Sequence, residues 1–237
     1  MKKRYIFLCI LAVFVVAIGA VAWTNFDNIK AIYKATQYNA QEIENKIVEN
    51  EKKNEEMLQK YNQSNIKPLS EEDSEKLTNG ELSEEEAIKL VLGKTEEKTE
   101  KSPEQPKEEN KTEEAPQPQM SVEDEEKLGE LIAKVYVLKG KYNKLIADEN
   151  YYAASDFYSL PKDQQTKEKK YERGVTFMRN VLKLQDECDA EMETIFSEMT
   201  EILKRNNMTT ELVDEIRTAY HEEKELKKAY FVNKYTE

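Results

Sequence analysis

His221 is the only histidine in this 237-residue chain, so any histidine-assisted nucleophile would have to be assembled around it. A Cys-His or Ser-His pair would bring His221 beside Cys188 or a serine from another segment, and no motif marks either partner. The run HEEKE beginning at His221 lacks the second histidine that a helix-borne zinc protease site requires, and Cys188 alone cannot make a structural zinc site. No glycine-rich loop is present to cradle a phosphate. The stretch DECDAEME gathers Asp186, Glu187, Asp189, Glu191 and Glu193 around Cys188, and could hold a divalent cation weakly. It has no loop to wrap an ion, however, and reads as a solvated helix face with Cys188 and Met192 turned into the core. Among 48 acidic residues, two carboxylates at a glycosidase-like separation occur by chance. The expectation is a chain with no catalytic, cofactor or metal site, and therefore not an enzyme.

Two clusters suit recognition instead. Lys167, Lys169, Lys170 and Arg173 fall in the first turns of an expected helix, where positive charge opposes the helix dipole. Such a local cost suits an anionic wall polymer or an acidic protein face, although ordinary surface charge also accounts for it. Just upstream, ENYYAASDFYSLPKD places Tyr151, Tyr152, Phe157, Tyr158 and Leu160 ahead of Pro161. Exposed together, these aromatics would form an interaction patch. The structural alternative is that they close the end of a bundle.

These clusters must be held by helices. Leu128, Leu131, Val135, Leu138, Tyr142 and Leu145 step by three and four along one stripe, after an N-cap at Ser121. Pro161 interrupts the pattern. A second helix of about forty residues carries Tyr171, Gly174, Met178, Val181, Gln185, Cys188, Met192, Ile195, Met199 and Ile202, and ends at Asn206-Asn207. Thr209 or Thr210 caps a third, with Leu212, Ile216, Ala219, Leu226 and Tyr230 on its buried side. The predicted fold class is all-α, with an antiparallel three-helix bundle over 121–237, spectrin-like in outline only.

The N-terminal half sets an address. Residues 1–4 carry Lys2, Lys3 and Arg4, and residues 5–25 read as a transmembrane helix bracketed by Tyr5 and Trp23, with Phe7, Leu8 and Phe14 inside it. The N-terminus is then cytoplasmic and the remainder extracytoplasmic. The rival is a signal peptide cut after Ala22 in an A-x-A pattern, which would leave a secreted chain. Cys9 lacks the small residues of a lipobox before it. Residues 26–63 carry a heptad seam through Phe26, Ile29, Tyr33, Thr36, Ala40, Ile43, Ile47, Asn50, Asn54, Met57 and Tyr61. It predicts a helical stalk, paired in a homodimer whose register Asn50 and Asn54 would fix, or else an amphipathic helix lying on the bilayer or on the chain's own later domain. Residues 64–93 hold a capping box, Ser83 with Glu86, ahead of a short helix. Residues 94–120 are rich in Glu, Lys and Pro with Ala115 as their only aliphatic side chain before Met120, and predict a disordered tether.

A net charge of −12 argues against nucleic acid or anionic lipid surfaces as partners. With Cys9 in the apolar run and Cys188 alone beyond it, no intramolecular disulfide is expected despite an oxidising address. The abundance of Lys, Glu, Asn and Ile suits a low-GC bacterium. The expected role is a membrane-integral, non-catalytic envelope adaptor or scaffold that binds another protein or a cell-wall component. The alternative is an extracytoplasmic sensor binding a small ligand or metal between helices, and a helical hydrolase using His221 or an acidic pair comes last.

Overall fold

The computed structural model describes residues 26–61, 65–94 and 120–236. Among these residues there are seven α-helices, one 3-10 turn and no strand. They are α1 (Phe26–Gln37), α2 (Ala40–Lys60), α3 (Glu71–Thr78), α4 (Glu84–Val91), α5 (Val122–Tyr158), α6 (Lys167–Arg205) and α7 (Glu211–Thr236). None of them is long and apolar enough to cross a membrane. The expected cytoplasmic tail, the transmembrane span with Tyr5, Phe7, Leu8, Phe14 and Trp23, and residues 95–119 of the tether lie outside the described residues.

Local chemistry sets the ends of the helices. Ser121 accepts from the Asp124 backbone N–H at the start of α5, and Thr166 does the same for Lys169 at the start of α6. The Ser83–Glu86 capping box forms in both directions at α4. At the end of α6, Asn207 adopts a left-handed conformation (φ 55°), which lets Met208 N–H reach the Leu203 carbonyl at 2.9 Å and Asn207 N–H reach that of Lys204 at 3.0 Å. α7 begins directly after Thr210.

The chain divides into two compact units, and α2 and α7 contribute residues to both. The larger spans Glu55–Arg217. Its frame is the antiparallel hairpin of α5 and α6, linked in order by Asp124 with Arg205, Tyr142 with Glu191, Glu149 with Asn180, and Asp156 with Arg173. From Leu128 to Leu138, α5 is buried on nearly every side, Ile132, Ala133, Tyr136 and Val137 included. The sequence LGELIAKVYVL explains this, being apolar around most of the circumference, with only Glu130 and Lys134 leaving a narrow polar strip. α6 covers one face, and α3 and α4 also pack on α5. Residues 71–93, too poor in apolar side chains for a core of their own, therefore gain order by docking. Ala87 and Val91 of α4 are buried, and Glu84 pairs with Lys134 at 2.9 Å.

The smaller unit combines residues up to Asn54 with those from Thr218 onward. Here the seam departs from a continuous stalk. The helix breaks at Tyr38-Asn39, because the Asn39 side chain accepts from the Glu42 N–H while the Glu42 carboxylate accepts from the Asn39 N–H, both at 2.9 Å. This reciprocal cap starts a new helix. α1 runs parallel to the end of α7, with Lys30 and Lys34 both on Glu225 and the Tyr38 carbonyl accepting from Asn233. α2 then returns antiparallel to it, with Ile43 packed against Leu226 and Ala229, and Asn50 donating to Glu222 at 3.3 Å. Asn50 and Asn54 are buried and hydrogen-bonded within the chain, as the alternative of a helix lying on the chain's own later domain expects. The third helix of the expected bundle thus divides: Leu212, Val213 and Ile216 belong with α5 and α6, whereas Leu226 and Ala229 form a core with Ile43. Tyr33 and Thr36 of the seam are exposed.

Candidate functional site

Beyond Tyr142 the α5–α6 hairpin exposes more of its surface, and the aromatic cluster lies there. Tyr151, Tyr152 and Tyr158 are 67%, 66% and 70% exposed, while Phe157 is half-buried. The rings meet edge-on, Tyr151 with Tyr152 at 5.9 Å and Phe157 with Tyr158 at 5.3 Å. Across the turn, Tyr171 and Val175 of α6 are also exposed. The turn itself is fastened by Gln165, whose amide donates to the Tyr158 and Leu160 carbonyls. Of the nearby cations, Lys167 and Lys169 are exposed, Lys170 and Arg173 half-buried. Lys169 holds Glu172 at 2.7 Å and Arg173 bridges to Asp156 at 3.0 Å, so Arg173 also joins the two helices.

Three-and-four spacing places a second stripe on α5, distinct from the Leu128–Leu145 series: Ala133, Val137, Gly140, Lys144, Ala147, Tyr151, Ala154 and Tyr158. The two halves of this stripe differ. Ala133 and Val137 are fully buried, and at Gly140 an added Cβ would lie 2.9 Å from Ser74 Oγ and 3.3 Å from Leu69. Ala147 is exposed, Ala154 half-buried, and the tyrosines face solvent. Sequence reasoning singled out the tyrosines but not the stripe that carries them; the interleaved spacing in α5 was the available signal.

Between the two helices at this end lies an open cleft of about 470 Å³, lined in part by Glu149, Tyr152, Asp156, Arg173 and Asn180. Within it Asn180 donates to Glu149 at 2.8 Å, and Arg173 lies 3.0 Å from Asp156. A second cleft, of about 460 Å³ and lined by Lys30, Lys34, Thr218, His221, Glu222 and Glu225, lies in the smaller unit. Its lysines are drawn to Glu225, and His221 lies against Tyr220 with ring centres 5.4 Å apart.

The acidic stretch in α6 disperses. Glu191 accepts from the Tyr142 hydroxyl at 2.7 Å, Glu193 pairs with Arg217 at 3.0 Å, and Cys188 and Met192 are buried. Burial, and then the Glu191 carboxylate, push the Tyr142 phenol well above the ordinary tyrosine range. Lys144, on the second stripe, is held above the usual lysine value chiefly by its hydrogen bond to Asp148, with Glu75 of α3 adding attraction. Among the described residues no group of His, Cys, Asp and Glu side chains comes together that could hold a metal ion.

No family model, curated protein or solved structure matches this chain.

Proposed function

We propose that the chain is a single-pass, membrane-anchored extracytoplasmic protein whose helical body serves as a non-catalytic adaptor or scaffold. Its tyrosine-rich hairpin end binds another protein or a cell-wall component in the envelope. The observation that carries this reading is the exposure of Tyr151, Tyr152 and Tyr158 on a helix whose stretch from Leu128 to Leu138 is largely buried. Large amphipathic rings left in water at adjacent turns supply contact area at low entropic cost, which is why tyrosine is enriched at interfaces. The anchor comes from the uncharged run from Tyr5 to Trp23, behind three basic residues.

Two measurements test it. Cysteine-scanning labelling with a membrane-impermeant reagent, in the Cys9→Ser background, should modify position 122 and not position 2 in intact cells; the reverse pattern would overturn the topology. Replacing Tyr151 and Tyr158 together by Ala should release whatever the wild-type chain retains in the envelope while leaving its helicity unchanged. Unaltered retention would sink the binding role.

The cleft between α5 and α6 supports a second reading, a small-ligand sensor, because its volume lies in the range of ligand sites. It is the weaker of the two, since a ligand would have to separate Asp156 from Arg173 and Glu149 from Asn180. Thermal shifts across metabolites and metals test it; none above baseline would end it.

A further inference from the structure

α1 is apolar on two sides. Ala31 and Ala35 turn inward, Ala31 buried and Ala35 packed against the cluster of Ile43, Leu226 and Ala229. Lys30 and Lys34 both reach Glu225 of α7. The side left over carries Ile32 and Tyr33, 55% and 63% exposed, and the exposed Thr36, whose hydroxyl donates to the Tyr33 carbonyl at 2.7 Å. From Ala31 to Gln37 no acidic residue occurs. Single exposed apolar side chains are ordinary on a protein surface, but the place of these in the chain gives them a meaning. Phe26, where α1 begins, lies three residues beyond Trp23, the end of the uncharged run.

The antiparallel neighbour of α1 limits how that start can meet a bilayer. Lys30 lies at Glu225 and Asn50 at Glu222, three positions apart on α7, so α2 draws level with Phe26 near Asn50. α2 then continues as one helix to Lys60, about 15 Å further. This last stretch carries Glu51, Lys52, Lys53, Glu55, Glu56 and Lys60. Were α1 to stand on the bilayer as a straight extension of a membrane helix, the end of α2 would be driven into hydrocarbon, where charged side chains are strongly disfavoured.

Resting on the reading of residues 5–25 as a membrane anchor, we propose that α1 lies along the extracytoplasmic surface of the bilayer, with Ile32, Tyr33 and Thr36 seated at the boundary of headgroups and acyl chains. α7 covers the opposite side, so α1 is held between lipid and protein. The contact is apolar rather than electrostatic, in keeping with a net charge of −12. Tyrosine suits this depth, since its ring enters the boundary layer while its hydroxyl stays in water.

The test is nitroxide accessibility in the full chain, reconstituted at one copy per phosphatidylcholine nanodisc, in the Cys9→Ser background with the buried Cys188 left in place. Labels are introduced one at a time through Ile32→Cys, Tyr33→Cys, Phe14→Cys and, as control, Val122→Cys. At 32 and 33 oxygen, which concentrates in lipid, should reach the label better than a water-soluble nickel chelate does, with a ratio severalfold above that at 122. Ile32→Asp and Tyr33→Asp together change two exposed positions and should leave helicity at the wild-type level. In that chain a label placed through Thr36→Cys should move from oxygen access to nickel access, and a label that does not move would overturn the proposal. Nickel access at 32 and 33 equal to that at 122 would overturn it as well; the anchor survives this result if position 14 still reads as lipid, and falls with it if position 14 is open to nickel. Exclusion of both reagents from 32 and 33 would reveal a protein cover and overturn the lipid contact too.

Discussion

Arg205 in the last turn of α6 grips both carboxylate oxygens of Asp124 in the first turn of α5, its Nε lying 3.0 Å from Oδ2 and its Nη2 on Oδ1. The Asn206 amide adds a third donor at 2.7 Å. Each charge also complements the dipole of its own helix end, so the pair closes the hairpin at the end opposite the tyrosines.

This clasp predicts a specific acid response. The guanidinium and the Asn206 amide hold the Asp124 carboxyl down to about 2, against about 3.9 in an unfolded chain. A depressed carboxyl stabilises the fold fully above about pH 4 and stops doing so as pH falls toward 2. In urea titrations the gap in midpoint between wild type and Asp124→Asn should be largest near pH 6 and shrink between pH 4 and 2. A gap that stays constant across that range would remove the clasp from the account.

Pairing of α2 with α7 inside one chain predicts coupled core losses. Ile43→Ala and Leu226→Ala should each cost about 2–4 kcal/mol, and the double variant should fall short of their sum by about 0.5–3 kcal/mol, as contacting residues do. Denaturation midpoints that do not change with protein concentration check that the contact is intramolecular. Additive losses would argue against it.

The case of α2 also shows what could be read from the sequence and what could not. Its apolar spacing, the buried asparagines and the choice between a second copy and the chain's own later domain were all visible, but spacing alone carries no address for the partner. That address came from Leu226 and Ala229, about 180 residues further on. The break before α2 is legible in Asn39-x-x-Glu42, a capping pattern that competes with the heptad spacing running through it. In α5 the Leu128–Leu145 stripe was read, whereas Ile132, Ala133 and Val137 were not. A helix apolar on most sides signals several neighbours without saying that two of them are short acidic helices. The exposure of the tyrosines was undecidable beforehand, because the same residues could equally have capped a bundle.

Gly140 predicts a local failure. A leucine there would meet Ser74 and Leu69 and should push α3 off α5, at a cost of about 1–3 kcal/mol for overpacking. Hydrogen exchange should speed up across Glu71–Thr78 while α5 and α6 stay protected. Unchanged protection of α3 would mean that the close approach at Gly140 is not what seats it.

Tyr142 offers a spectroscopic check. Its folded phenol ionises well above the free value, so the hydroxyl contributes stability below about pH 10 that is lost as pH rises further. In alkaline absorbance titrations Tyr142 should lag the bulk of the tyrosines, with Tyr235, which burial also raises, and both should rejoin them in urea. Tyr142→Phe should remove one tyrosine from the lagging step and cost about 0.5–1.5 kcal/mol at neutral pH. A titration curve in which Tyr142→Phe removes an early-ionising tyrosine would contradict the buried hydroxyl.

Lys30 and Glu225 meet across 195 positions of chain, and this separation governs biosynthesis. Contacts that join the first helices to the last must wait for the whole polypeptide to leave the ribosome, whereas α5 and α6 can pair while synthesis is still under way. For the span of translation the Ile43 face of α2 has no α7 to cover it. A chaperone is the natural place for that face to be sheltered until the C-terminus arrives.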